Sequence, residues 1–245
     1  MALATWWRGD ERPEIAPLPG LSIDVGRDIG QIAGLTALES SEVEARIGAG
    51  HRIYIASLDG APAAYGWVAT LSASIGELSL AFSLPASDRY LWDFVTLPEW
   101  RGRGIYPRLL QGIVEAEGLQ AERFWIIHAP ENAASGSGIT KAGFEPVSEL
   151  SFLPESGAGV GTVVLASADR ARVGADLLGV QFFEAIQSGR IVSPCWRCVI
   201  EQHAIGADGA TCWPGDGHGG APSCSCVPGG AHSDAGSGCA LGLAS

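Results

Sequence analysis

Tyr90-Leu91-Trp92-Asp93-Phe94-Val95-Thr96-Leu97-Pro98-Glu99-Trp100-Arg101-Gly102-Arg103-Gly104-Ile105-Tyr106-Pro107 is the stretch on which the fold of this chain turns. Tyr90 to Leu97 is rich in aromatic and β-branched residues and reads as a strand, which Pro98 ends. Arg101 to Gly104 then give a loop of two glycines and two cations. From Ile105 the spacing becomes helical, with Ile105, Leu109 and Ile113 on one face and Leu110 beside them. A glycine loop that opens a helix presents unpaired N–H groups at the positive end of a dipole. Such a place binds anions, and phosphate or pyrophosphate is the expected guest.

Outward from this stretch, the pattern is one of mixed elements. Leu21 to Val25, His51 to Leu58, Ala61 to Leu71 and Ile75 to Phe82 read as strands, the last with Glu77 inside it. Asp59-Gly60 is a hairpin turn joining the second and third of these. Ser40 to Ile47 reads as a helix, with Glu42 and Glu44 in its first turn, where the dipole favours anions, and Gly48 and Gly50 at its end. After the glycine loop, Arg123 to His128 is nearly all apolar and suits a central strand buried on both faces. Glu131 to Ala142 is a helix of poor composition closed by Gly143, and Phe144 to Phe152 and Gly159 to Leu165 are final strands. The fold class is therefore α+β, around one mixed sheet.

Four regions follow: a lead-in over residues 1–20, the main domain over 21–167, a helix over 168–190 and a tail over 191–245. The helical periodicity of Leu177, Leu178, Phe182 and Ile186 serves either packing on the sheet or formation of a homodimer. In the tail, eleven of the forty residues from Gly206 to Ser245 are glycine, so it cannot bury enough apolar surface to form a second core. All six cysteines lie there. Cys195-Trp196-Arg197-Cys198 and Cys224-Ser225-Cys226 could supply the four ligands of a zinc site as thiolates, and Cys195, Cys198, His203 and Cys212 could do so as three thiolates and an imidazole. Free thiols are the plain alternative.

Composition excludes several classes. With 27 acidic against 15 basic residues the net charge is -12, which argues against general nucleic-acid binding. Lys141 is the single lysine. No uncharged apolar run reaches the length of a membrane span, and the apolar start at Met1 to Trp7 is too short for a secretion signal. The expectation is a cytoplasmic protein.

Thr96 to Ile105 resembles the acyl-CoA-binding motif of the GNAT N-acyltransferases, and Asn132 with Lys141-Ala142-Gly143-Phe144 resembles the second motif of that family. The resemblance covers roughly Leu21 to Leu165 and implies a GNAT-like, mostly antiparallel sheet flanked by helices. It implies acetyl-CoA as cosubstrate and an amine acceptor, with direct transfer in a ternary complex. On the family's pattern the pyrophosphate lies on the backbone of Gly102, Arg103, Gly104, Ile105 and Tyr106, beside Arg101. The pantetheine arm pairs with Val95, Thr96 and Leu97 and meets Asn132. Two positions depart from the pattern: Tyr106 stands where the family has Gly or Ala, and Ile139 where many members carry a proton-donating tyrosine.

Three groups are candidates for acid–base chemistry. Asp93 is a carboxylate in an apolar strand, which fits either a base of raised pKa or a structural ion pair. Glu77 lies on the preceding strand and fits either the acceptor site or an exposed face. His128 ends the buried strand and fits either a base or a structural histidine. A second reading is a catalytically weak acyl-CoA-binding module whose metal-binding tail carries the function.

Overall fold

The computed structural model describes residues 1–129, 131–152, 160–164, 166–183, 211–214 and 224–227. These fall into two compact units, one of residues 2–75 with 81–147, the other of Met1, residues 76–80 and residues 148–245.

The first unit holds the glycine loop. Its sheet runs β1 (Ala2–Trp7), β8 (Arg123–His128), β7 (Asp88–Thr96), β4 (Ala61–Ala69), β3 (His51–Leu58) and β2 (Leu21–Val25), neighbour by neighbour. Every pair is antiparallel except β7 with β8. Helix α3 (Ile105–Glu117) provides the crossover that a parallel pair demands. It lies on one face, where Leu109, Leu110 and Ile113 are buried against Phe124, Ile126 and Leu91. Helices α1 (Ile29–Thr36) and α2 (Ser40–Gly48) cover a second apolar cluster, in which Ile32 and Val43 pack with Ile53, Tyr65 and Trp67. Helix α4 (Ala133–Lys141) follows β8 and contributes Ile139 to the α3 side.

Three expectations need correction here. Residues 1–20 are not a lead-in: Ala2 to Trp7 pair with His128 to Arg123, and Trp6 and Trp7 pack edge-on against Phe124 and Trp125. The partner strand is more than a hundred residues away, so no local pattern announces it. Glu77 is not in a strand. The expected strand divides into β5 (Ser72–Ile75) and β6 (Leu80–Ser83), a separate ribbon, with a 3₁₀ turn over Gly76–Leu78 between them. Third, α1 was not foreseen. Its sequence contains two glycines, and it forms because the Asp28 carboxylate caps the Gln31 N–H at 2.7 Å and Ile32 is fully buried.

In the second unit, β9 (Glu145–Phe152) pairs antiparallel with β10 (Val160–Val164) through Ser148 to Phe152. Helix α5 (Ala168–Leu178) then leads back to β11 (Gln181–Phe183), which lies parallel to β10. The expected single helix over 168–190 thus stops at the left-handed Gly179. Leu150 exchanges backbone bonds with Met1. Further along, β12 (Thr211–Pro214) pairs antiparallel with β13 (Cys224–Val227), with Cys212 opposite Cys226 in register. Cys195 and Cys198 lie outside the described residues. Among the described residues no group of three or more His, Cys, Asp or Glu is placed to hold a metal ion, and no helix is long and apolar enough to cross a membrane.

The C-terminal end of α3 carries a buried charge cluster. Glu117 accepts from Arg89 at 2.8 Å, from Arg52 at 2.7 and 2.8 Å and from the Tyr54 hydroxyl at 2.7 Å. Arg89 is 4% and Glu117 2% exposed. Burial pushes the Glu117 carboxyl up, but the bonds from Arg89, Tyr54 and Arg52 outweigh it and hold the group below its usual 4.5. A depressed carboxyl stabilises the fold above its unfolded pKa and ceases to do so as pH falls through the folded value. Glu117→Ala, which leaves Arg89 buried without its carboxylate, is expected to cost about 3–5 kcal/mol at neutral pH by urea unfolding. Glu117→Gln is expected to flatten the loss of stability below the usual carboxylate pKa.

Candidate active site

The site is built on an irregularity in β7. Trp67 pairs with Trp92 and Tyr65 with Val95, so Asp93 and Phe94 together face the single residue Gly66. This is a β-bulge. Asp93 takes a left-handed backbone, φ +51°, which an aspartate tolerates better than most residues. Gly66 is required opposite: a Cβ there would sit 2.0 Å from the Phe94 ring. The bulge turns β7 so that Phe94 packs toward the α3 side while Trp92 and Val95 pack toward α1 and α2.

A clamp holds the bulge from behind. Arg46 of α2 donates to Asp93 at 2.7 Å and to Glu42 at 2.8 Å. Its guanidinium lies 4.6 Å from the Trp92 ring centre and 5.1 Å from that of Trp67. Asp93 is therefore a paired carboxylate, as one of its two sequence readings had it.

The pairing of β7 with β8 covers Asp88 to Leu91 against Arg123 to Ile126 and goes no further. Beyond it β7 continues to Thr96, bonded to β4 on its other side, and Leu97 N–H donates to the Ala63 carbonyl at 2.9 Å. Past the 3₁₀ turn Pro98–Trp100 come Gly102 and Gly104, at φ +77° and +68°. Gly104 is the N-cap of α3, and no side chain caps that helix. The N–H groups of its first turn thus lack both intrahelical and side-chain acceptors. Arg108 fastens the loop from below, bonding the Gly104 carbonyl at 2.6 Å and the Ala16 carbonyl.

A cleft of about 660 Å³ opens between the end of β7, this loop and α4. Val95, Thr96, Arg101, Gly102, Gly104, Ile105, Tyr106 and Asn132 line it, as do Phe94, Trp100, Ser135, Ser137, Gly138 and Lys141. Among the described residues its lining holds no acid and two cations, in a chain of net charge -12. Of the expected contacts, Leu97 and Arg103 are not in the lining; Arg103 stacks on Trp100, 4.9 Å from the ring centre. Arg101 folds back onto the Thr96 carbonyl at 3.1 Å. Asn132 rather than Glu131 caps α4, its Oδ1 accepting from Ser135 N–H at 3.0 Å, which leaves its amide N–H₂ as donor. Of the α4 contributors, Asn132 and Lys141 stand in the second motif of the resemblance, and Ser135 and Gly138 fall between them at three-residue steps.

Tyr106 crosses this cleft. Its ring meets Phe94 at 5.6 Å, and its hydroxyl lies 3.4 Å from Ser135 Oγ. Gly138 makes room for it: a Cβ there would be 2.3 Å from Tyr106 Cδ1. Burial pushes the phenol up to about 12, so it stays protonated at any physiological pH. Ile139 is 1% exposed and belongs to the core, so that position offers no proton donor.

His128 lies at the end of β8 under α4, where a Cβ on Gly136 would be 2.9 Å from its Cε1. Its Nδ1 is 3.0 Å from the Ala129 carbonyl, which can only accept, so Nδ1 donates and the neutral ring keeps its lone pair on Nε2. Glu77 is exposed and lies in the other unit.

No family model matches the chain, and no curated protein matches it. Similar folds do occur among solved structures. A GCN5-related N-acetyltransferase of Kribbella flavida aligns at 16% identity over 59% of this chain and 53% of that one, with a TM-score of 0.41. Salmonella typhimurium yncA, solved with its cofactor acetyl-CoA, aligns at 16% over 54% and 83%, at 0.42. An aminoglycoside 6'-N-acetyltransferase of Acinetobacter baumannii aligns at 18% over 51% and 91%, at 0.38. The chain spans little more than half the length of the Kribbella protein. At such scores the reading of the cleft rests on its own geometry.

The contact between Tyr106 and Gly138 gives a direct test of that geometry. Gly138→Ala is expected to cost about 1–3 kcal/mol through overpacking. In a Tyr106→Ala background most of that cost should vanish, which a double-mutant cycle by urea unfolding measures. With its mixed, mostly antiparallel sheet, bulged strand, glycine loop and crossover helix, the fold is GNAT-like.

Proposed function

We propose that the chain is an acetyl-CoA-dependent N-acetyltransferase, moving an acetyl group directly to an amine. The observation that carries this reading is the cleft: an uncapped helix N-terminus behind two left-handed glycines, two cations, no acids, and a strand edge running on past its partner. The cosubstrate fits these residues on several counts. A Cβ built at Gly102 would meet nothing within 4 Å, so the backbone there is open to a phosphate. First-turn N–H groups from Gly104 to Tyr106 suit a diphosphate. The edge of β7 at Phe94 to Thr96 suits an extended amide arm, and Asn132, whose amide N–H₂ is left as donor, lines the same cleft. Acetyl-CoA supplies an activated thioester carbonyl.

The chain's own residues have three tasks. The loop and Asn132 bind and orient. Phe94 and Tyr106 wall the cleft and exclude water. His128 lies just outside the cleft lining with its lone pair on Nε2 and is assigned the proton of the attacking amine. Asp93 is the weaker choice of base, because Arg46 already satisfies it, and its work is to hold the bulge.

The buried Ile139 favours a second reading, a module that binds acyl-CoA and turns over slowly. Calorimetry with acetyl-CoA and a thiol-release assay over an amine panel separate the two. The enzyme reading expects both binding and release of thiol; tight binding with no release on any amine supports the second. Gly104→Val, which forces a side chain into a left-handed backbone beside Arg108, is expected to weaken acetyl-CoA binding about tenfold or more. His128→Asn is expected to lower kcat about 10²- to 10⁴-fold with KM for acetyl-CoA unchanged.

A further inference from the structure

A second cavity, of about 420 Å³, lies apart from the glycine loop. The start of β3 gives it His51, the middle of β7 gives Trp92, and the β5–β6 ribbon gives Ser72, Ser74, Phe82 and Ser83. None of these residues lines the glycine-loop cleft.

Its chemistry is specific in two ways. First, it is uncharged. Among the described residues, no Asp, Glu, Lys or Arg lines it. The Trp92 indole N–H donates to His51 Nδ1 at 3.1 Å, and an indole N–H cannot accept, so the neutral imidazole carries its proton on Nε2. Burial, and then the charge of Arg46, push the His51 pKa down, so the ring is neutral at pH 7. Arg46 is occupied by Asp93 and Glu42 and brings no free countercharge. A charged guest would lose hydration here and gain no ion pair.

Second, it combines aromatic rings with a rim of hydroxyls. Trp92 is half-buried and set edge-on to His51 at 5.2 Å; Phe82 is buried and set edge-on to Tyr90 at 5.3 Å. Along β5, Ser72 and Ser74 are exposed while Ala73 and Ile75 between and after them are buried. Ser83 is exposed on β6. Three hydroxyls that can both donate and accept, with one imidazole N–H donor, thus stand beside apolar ring surface. A guest that satisfies both has a C–H face for the aromatics and hydroxyls for the rim.

We propose that this cavity binds a neutral pyranose ring, free or as part of a larger glycoside. The assignment stands on the cavity alone and does not depend on acyl transfer.

The test is a titration of the full chain with methyl α-D-glucopyranoside and methyl β-D-galactopyranoside at neutral pH. The Trp92 indole N–H and the His51 ring are followed by NMR and assigned with Trp92→Phe and His51→Gln. The expected result is saturable shifts of both signals with a millimolar Kd for at least one pyranoside. Ser74→Ala, a mild change at an exposed position, should weaken that binding about threefold or more, and Trp92→Ala about tenfold or more. Cyclohexanol, which has the ring without the hydroxyl set, should bind more weakly. Three results overturn the proposal: no saturable shift of Trp92 with either pyranoside, equal binding of cyclohexanol, or binding of protonated glucosamine with none of the neutral sugars. Loss of acetyl-CoA binding by Gly104→Val should leave these shifts unchanged.

Discussion

One residue too many in β7 is the constraint from which the rest of the site follows. Asp93 and Phe94 face Gly66 alone, and the extra residue has to go somewhere. A strand with a bulge gains local twist, and twist carries its far end away from a partner that lacks the bulge. Pairing with β8 accordingly runs only to Leu91 and Ile126. Were β7 regular, the same register would carry the pairing two residues further, to Asp93 opposite His128. The conformation is not one a strand adopts unaided, since an aspartate in left-handed backbone is strained by about 1 kcal/mol or more. Arg46 offsets that strain with an ion pair and two indole faces, and Gly66 gives the Phe94 ring its place.

The two ends of the crossover are held by opposite means. At the C-terminal end of α3, Glu117 is surrounded by donors and buried, so its position is over-determined. At the N-terminal end, no side chain satisfies the first turn. An end left open in this way costs stability unless water or a ligand satisfies it. The fastening by Arg108 acts on the carbonyl of Gly104, not on the N–H groups, so the loop is fixed while its donors stay available. A rigid frame around unsatisfied donors is what recognition of an anion requires.

How far the sequence could be read depended on whether the cause was local. Strand, glycine loop and helix from Tyr90 onward are written in neighbouring residues, and so is the Asp59-Gly60 hairpin. What was missed is held by distant partners. Ala2 to Trp7 form a strand because β8 accepts them, and nothing between Met1 and Gly20 says so. Arg46 and Asp93 are 47 positions apart, so a sequence that leaves Asp93 open between a base and an ion pair does not name its partner. Glu77 looked like part of a strand because its neighbours are apolar; Ser79 instead takes a left-handed backbone and the chain turns there. The lining of the cleft by Gly102, Gly104 and Asn132 was legible because two glycines announce a loop that opens a helix and Asn132 stands in the second motif of the resemblance.

Tyr106 and Ile139, read separately, are two departures from the pattern the glycine loop resembles. In the structure they belong to one rearrangement of the space between α3 and α4. An aromatic ring at 106 needs a hollow in the facing helix, and Gly138 is that hollow. The turn that contains Gly138 also places Ile139, and with α3 and α4 packed around the Tyr106 ring, Ile139 faces the core at 1% exposure. A phenol has therefore not been lost from the region; it stands on α3, protonated, against Ser135. A phenol with a pKa near 12 is a poor acid toward a thiol of ordinary pKa, but it can still stabilise a departing thiolate by a hydrogen bond. In the proposed reaction, proton transfer falls to His128 at the end of β8 and thiolate stabilisation to Tyr106 in the cleft wall.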